Sequence, residues 1–342
     1  MHDVARRARV STKTVSNVVN RQPHVHESTR ARVEQAIDEL GYRPNLSARG
    51  LRSGRSGVVV LAVPDLRRPR VAELADAVVR AAGTHDLRVL VSRTDADRQL
   101  EVAALTDGLR QADGLLLCAE HLGAQDRALL DAVDHPLVLL GERVVGSPTD
   151  QVTTDDVAAA SAAVQHLVAG GRRRVALVGA PSEALLETGC GGTRPADLRL
   201  RGYRQALEAA GLTCDARLVV PAAPWRPAEG VAAARALLSS GVPFDAVLAL
   251  DDALALGVVR ALGETGRGVP SDVAVMGLDD TALGACAVPS LSSVDLGREE
   301  VARTGVAMLV ERIGGGDAAG PPRLHEAAHR VVVRESTASV DG

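Results

Sequence analysis

Apolar residues in the first 40 positions recur at helical spacing. Val4, Ala5 and Ala8 mark one face of a first segment, and Val15, Val18 and Val19 mark a face of a second. Val33, Ala36, Ile37 and Leu40 give the i, i+3, i+4, i+7 stripe of a third, which Gly41 stops. The spacing predicts three short helices. Ala8-Arg9-Val10 falls between the first two as a tight turn, and Ser11 is placed to cap the second helix. Pro44 then opens a short Arg-bearing segment over residues 45–51, followed by the linker Arg52-Ser53-Gly54-Arg55-Ser56-Gly57.

Beyond Gly57 the period changes. Strand-like runs are Val58–Pro64, Leu87–Ser92, Gly114–Cys118, Leu137–Gly141, Val175–Gly179, Leu218–Pro221, Ala246–Leu250, Val273–Gly277 and His329–Arg334. Ala- and Leu-rich helical stretches such as Val71–Ala82, Asp156–Ala169 and Leu200–Ala210 lie between them. Repeated strand–helix units imply parallel sheets with helices on both faces. Nine strands over about 280 residues fit two sheets better than one. Only four residues are aromatic, Tyr42, Tyr203, Trp225 and Phe244, so the core must be built from Val, Leu and Ala, which suits buried parallel strands. The fold class expected is an all-α helix-turn-helix head joined to an α/β two-lobed body of Rossmann-like parallel sheets. Its divisions would be a head over 1–44, a hinge helix and linker over 45–56, a body over 57–336 and a tail over 337–342.

Charge sharpens that division. Residues 1–57 carry 11 Lys+Arg against 5 Asp+Glu, whereas residues 58–342 carry 28 against 38. A basic head on an acidic body suggests a polyanion-binding module attached to something that must not bind polyanions itself. Lys13 is the only lysine in the chain.

Other chemistries find little support. Cys118, Cys190, Cys214 and Cys286 are too scattered for a metal knuckle or redox pair, which fits reduced thiols of a cytoplasmic protein. No apolar stretch reaches the ~20 residues that a bilayer span needs, and the polar, charged N-terminus does not read as a signal peptide. Gly179-Ala180-Pro181 and Gly189-Cys190-Gly191-Gly192 match no nucleotide or phosphate loop, no Gly-x-Ser-x-Gly elbow is present, and the nine histidines form no H-E-x-x-H. An enzyme is therefore not the expected class, and no cofactor or metal is called for. A solute-binding protein for uptake shares the fold, but the basic head opposes it.

On the second predicted helix, Thr12, Lys13, Ser16 and Asn17 fall on the N-terminal face that a helix-turn-helix inserts into a major groove. Lys donates to guanine O6 and N7, and Asn suits adenine. By themselves, three helices and basic charge fit a generic solvated domain equally well.

Residues 3–55 resemble the DNA-binding head of the lactose-repressor (LacI/GalR) family. The matching motifs are Asp3-Val4-Ala5, Val10-Ser11-x-x-Thr14-Val15-Ser16, Val19-Asn20, Thr29-Arg30-x-x-Val33 and Leu40-Gly41-Tyr42-x-Pro44-Asn45. The resemblance implies DNA contacts from Ser11, Thr12, Lys13, Thr14, Ser16, Asn17 and Asn20, and from Tyr42, Asn45, Arg49 and Leu51. Thr12, Lys13 and Asn17 would read bases, and Leu51 would wedge into the minor groove at the operator centre. Some positions depart from the family. Met1 stands two residues after the usual capping Thr, Arg9 replaces a turn Gly, His26 replaces a capping Ser, Asn17 replaces Arg, and Gly50 lies in the hinge helix.

Residues 57–336 resemble the sugar-sensing core of the same family, shared in fold with type I periplasmic binding proteins. The motifs are Val58–Pro64-Asp65-Leu66, Asp251-Asp252-Ala253-x-Ala255-x-Gly257, Val275–Asp280, Pro289–Val294 and Val332–Thr337. Open α/β sheets bind ligands beyond the carboxyl ends of their strands, where Asp65, Asp251 and Asp279 fall. The resemblance adds Arg199, Arg70 and Asp155 to this ligand set. Carboxylates with one Arg suit vicinal hydroxyls. Each acidic residue could instead cap a helix, most simply Asp252 and Asp280. Sugar-binding members carry aromatic residues just after the Asp65-Leu66 position, where this chain reads Arg67-Arg68-Pro69-Arg70-Val71. Those guanidinium groups would either meet an anionic ligand or, as the simpler reading has it, face outward into solvent.

The resemblance implies a homodimer on a palindromic double-stranded DNA operator, because two heads must be related by a two-fold axis. The seven residues after Glu335 leave no room for a tetramerising helix. A small polar, sugar-like effector would turn the lobes about crossovers near Asp155 and Val294.

Overall fold

Three helices form where the stripes place them: α1 (His2–Ala8), α2 (Thr12–Val19) and α3 (Glu27–Glu39). Val4, Ala5, Ala8, Val15, Val18, Val33 and Ala36 bury one another, with Val10, Val19, Val25 and Ile37 packed against them. Leu40 departs from its predicted stripe, because it is the cap residue of α3 and 46% exposed. Arg9 ends α1 in the left-handed conformation (φ 53°, ψ 48°), which costs a non-glycine residue about 1 kcal/mol or more. Neither Met1 nor His26 caps its helix through a side chain.

The computed structural model describes residues 1–19, 22, 24–41, 55–106, 112–141, 143–180, 194–315 and 320–338. It divides the chain into two compact units, Met1–Gly57 and Val58–Gly342. The expected hinge helix over 45–51, with Asn20, Tyr42, Asn45, Arg49 and Leu51, lies outside the described residues.

The second unit holds two six-stranded sheets. The first, ordered β11-β5-β4-β3-β1-β2, contains β1 (Val58–Val63), β2 (Arg88–Arg93), β3 (Leu115–Leu117), β4 (Leu137–Gly141), β5 (Asp150–Thr154) and β11 (Leu324–Ala327). The second, ordered β12-β10-β9-β8-β6-β7, contains β6 (Val175–Ala180), β7 (Val219–Pro221), β8 (Ala246–Ala249), β9 (Ala274–Leu278), β10 (Ser292–Asp295) and β12 (Arg330–Val332). All neighbours are parallel except β10 and β12. The helices are α4 (Pro69–Gly83), α5 (Arg98–Thr106), α6 (Arg127–Asp131), α7 (Asp156–Ala169), α8 (Pro195–Ala209), α9 (Pro227–Ser239), α10 (Asp252–Glu264), α11 (Ala282–Ala285) and α12 (Arg298–Gly315). As the composition demands, the fully buried strand positions are mostly Val, Leu and Ala.

Three strands escape the hydrophobic pattern: β5 (DQVTT), β10 (SSVD) and β11 (LHEA). Their buried polar groups find partners inside the protein, which no apolar run signals. Asp150 accepts from both Arg312 and Arg323, and the Ser293 hydroxyl donates to Asp252 at 2.6 Å.

The chain crosses between lobes three times: after β5 at Asp155, after β10 at Leu296-Gly297, and between β11 and β12 at Ala328-His329. The third crossing was absent from the sequence reading. Gly297 sits at φ +73°, and a side chain there would come within 2.6 Å of the Ala328 carbonyl, so the second and third crossings touch. After the second crossing α12 returns to the first lobe, where Val301, Ala302, Val306, Met308 and Leu309 join the core under α4.

Candidate nucleic-acid interface and ligand cleft

In the head, the Ser11 hydroxyl accepts the Thr14 amide at 3.0 Å, which is the cap geometry expected at the start of α2. The same hydroxyl lies 2.9 Å from Thr14 Oγ1, so Ser11 and Thr14 are engaged with each other. Thr12 and Lys13 are exposed, and Lys13 has no ion pair or hydrogen bond among the described residues. Ser16 and Asn17 are half-buried, with Asn17 Nδ2 3.5 Å from His24 Nε2. An uncompensated cation on the first turn of an exposed helix can serve base edges or phosphates.

In the body, a cleft of about 570 Å³ opens between the lobes. The first lobe contributes Asp65, Arg67, Arg68, Arg93, Asp95, Ala96, Glu120 and His121 from the carboxyl ends of its strands. The second contributes the end of β6, the start of α8 and the loop from Ala222 to Arg226. This is where the strand topology directs a ligand. Hydrogen bonds from the Arg67 side chain and amide, both at 3.0 Å, hold Asp65 well below the usual carboxylate range, at about 2.

Beneath this wall lies a buried ionic layer. Arg199 is 1% exposed; its Nε donates to Asp156 Oδ1 at 2.6 Å, its Nη1 donates to the Leu250 carbonyl, and its guanidinium stacks 5.2 Å from the Trp225 ring centre. The Asp279 side chain is fully buried, 3.7 Å from Arg199 and 3.6 Å from Arg70, and neither of its oxygens has a hydrogen-bond partner. Burial pushes its carboxyl up to about 7, although Arg70 and Arg199 pull the other way. Its backbone stands at φ +113°, a conformation that a non-glycine residue keeps only when its surroundings enforce it. Asp252 is likewise pushed up to about 7, by burial and then by the charge of Asp279.

Of the six ligand residues read from the sequence, only Asp65 lines the open cleft among the described residues. Arg70, Arg199 and Asp279 gather in the ionic layer. Asp155 and Asp251 are helix caps, accepting from Ala158 N at 2.9 Å and Ala253 N at 2.7 Å. Asp252 and Asp280, expected as the simplest caps, are not. Asp252 accepts from Thr281 and Ser293, and Asp280 pairs with Arg334 at 2.7 Å. The simpler reading of Arg67, Arg68 and Arg70 as solvated fits Arg67, whose side chain is 68% exposed at the cleft, but fails for Arg68 and Arg70. Arg67 and Arg68 line the cleft, and Arg70 is largely buried against Asp279.

Sequence reasoning missed Trp225. It lines the cleft from the second lobe, donates through Nε1 to the Gly179 carbonyl at 3.2 Å, and supplies the aromatic surface lacking after Asp65-Leu66. A sole tryptophan in a Pro- and Ala-rich loop directly after a strand was the available signal.

Residues 1–45 match the model of bacterial regulatory proteins of the lacI family, and residues 164–337 match that of the periplasmic binding protein-like domain. The HTH-type transcriptional regulator CelR of Thermobifida fusca is 35% identical, over 97% of this chain and 96% of that protein. A candidate transcriptional regulator of LacI family from Sanguibacter keddieii is 46% identical, with a TM-score of 0.74 over 83% of this chain and all of that one. A structure of the regulator CelR with cellobiose (32% identity, TM-score 0.69) and the Lac repressor dimer bound to operator and an anti-inducer (28%, TM-score 0.80) each cover 98% of both chains. No helix among the described residues is long and apolar enough to cross a membrane.

Proposed function

Because the chain belongs to the lacI family of bacterial regulatory proteins, we propose that it represses transcription in the cytoplasm by binding a palindromic operator as a homodimer, under control of a sugar or sugar derivative bound between the lobes. The observation that carries this reading is the first turn of α2, where Thr12 and Lys13 stand exposed and Lys13 has no partner among the described residues. Thr12, Lys13 and Asn17 read bases, while Tyr42, Asn45, Arg49 and Leu51 contact DNA beside them. The cleft supports the second half. Trp225 offers a sugar a stacking face, and Asp65 and Glu120 accept hydroxyls. The relatives solved with an operator and with cellobiose agree with both halves.

Selection of bound sequences from random DNA tests the first half. The expected result is an inverted repeat with half-sites about one helical turn apart, bound by two chains. A single asymmetric site, or binding without sequence preference, would overturn the dimeric reading.

A further inference from the structure

We propose that the effector is an anionic sugar, a polyhydroxyl ring carrying a carboxylate or phosphate, with Arg226 as the residue that reads its charge. This rests on the cleft being the effector site. Five arginines on its wall, Arg67, Arg68, Arg93, Arg194 and Arg226, face three carboxylates, Asp65, Asp95 and Glu120. Four of the five have a carboxylate each: Arg67 has Asp65, Arg68 has Glu120, Arg93 has Asp95 and Arg194 has Asp197. Among the described residues Arg226 pairs only with Asp65, at 3.5 Å across the cleft, and that carboxylate already accepts the Arg67 side chain and amide. Its side chain is 44% exposed. Among the described residues, one guanidinium on the wall is thus left without a carboxylate of its own.

The helices around the cleft point the same way. α4, α8 and α9 begin with Arg68-Pro69, Arg194-Pro195 and Arg226-Pro227, and all three Arg cap positions line the cavity. None makes a side-chain cap bond. A helix start ordinarily takes Ser, Thr, Asp or Asn, whose oxygen satisfies the free amides, and a cation there opposes the helix dipole. Arg at all three starts therefore adds to the positive potential of three helix ends at one cavity, and an anion bound among them offsets it. Arg68 Nε is in addition buried with no hydrogen-bond partner. A neutral sugar would stack on Trp225, but would leave Arg226 unmatched.

The test uses the full-length protein in calorimetric titrations with glucose, galactose and mannose, each beside its uronic acid and its 6-phosphate, and with inorganic phosphate alone. An acid should bind about tenfold or more tightly than its neutral parent, as one charge-assisted contact allows. Added salt should erode that advantage. Arg226→Gln should remove most of it while leaving the neutral parent's affinity within about twofold. Preference for the uronate or for the phosphate identifies which anion is read. A neutral parent that binds as well as both its acids overturns the charge assignment. If Trp225→Ala then abolishes neutral binding, the cleft itself stands as the effector site. Binding of inorganic phosphate as tight as that of any sugar acid, or no binding by any member, overturns the proposal.

Discussion

Arg70 of the first lobe and Asp279 of the second stand 3.6 Å apart, Nε to Oδ1, and neither atom has a hydrogen-bond partner. The pair joins the lobes by charge without a bond. Other links across the same boundary are well formed. Glu73 accepts the Ala282 amide at 3.0 Å and pairs with Arg298 at 3.0 Å, while Arg298 also donates to the Asp279 carbonyl. Arg70 and Asp279 thus make a loose contact in this seam, where Glu73 Oε2 also lacks a hydrogen-bond partner.

The Asp279 carboxyl gives a pH signature. Its folded value, pushed up to about 7, lies above the ordinary 3.8, so the folded chain holds this proton more tightly than the unfolded one. Its contribution to stability therefore falls as pH rises from about 4 to about 7. Asp279→Asn removes that slope. Relative to the native chain, the variant's unfolding temperature should climb between pH 5 and pH 7.5, by roughly a few degrees. Thermal unfolding at the two pH values checks it, and an unchanged difference would contradict the burial argument.

Arg199 ties α7 to the end of β8 through Asp156 and the Leu250 carbonyl. Replacing it by Met leaves the buried Asp156 charge without its guanidinium and should cost about 3–5 kcal/mol. The resemblance places Arg199 in the ligand set, whereas its buried contacts make it structural. Chemical denaturation decides, since a purely ligand-facing arginine would leave the midpoint unmoved.

Lys13→Ala should weaken operator binding by about 1–3 kcal/mol and relax preference at one base pair per half-site. Quantitative binding to an operator and its single-base variants measures this. Equal loss on every sequence, with only a shallower salt dependence, would make Lys13 a phosphate contact.

Gly202 lets α8 lie directly on α7. A methyl group there would fall on the Val157 carbonyl and against the Ala160 side chain. Gly202→Ala should destabilise the body by about 1–3 kcal/mol or more, because a carbonyl in a helix cannot move aside. Urea unfolding tests it, and a change below about 0.5 kcal/mol would mean that the helices can separate freely.

Much of this architecture was legible in the residue pattern. The head's stripes are short-range, and Val15, Val18, Val33 and Ala36 bury where their spacing directs. Val and Leu runs mark the central strands. The pattern fails where satisfaction is non-local. β5 is polar because Asp150 is neutralised by Arg312 and Arg323, more than 160 positions away. The cleft was only partly legible for the same reason. A carboxylate after a strand can cap the next helix or face a ligand, and spacing does not separate Asp251, which caps, from Asp279, which does not. Trp225 carried no periodic signal at all.

The three crossings also bear on how the protein is made. The first lobe needs α12 to complete its core and β11 to complete its sheet, and both are encoded after the whole second-lobe run from β6 to β10. On the ribosome, the earlier lobe must wait with one flank uncovered until synthesis is nearly finished, while the later lobe gathers most of its sheet first. The second sheet thus has five of its six strands before the first lobe receives α12 and β11, and a stalled chain ending near residue 290 would expose the apolar flank of α4 to whatever chaperone meets it.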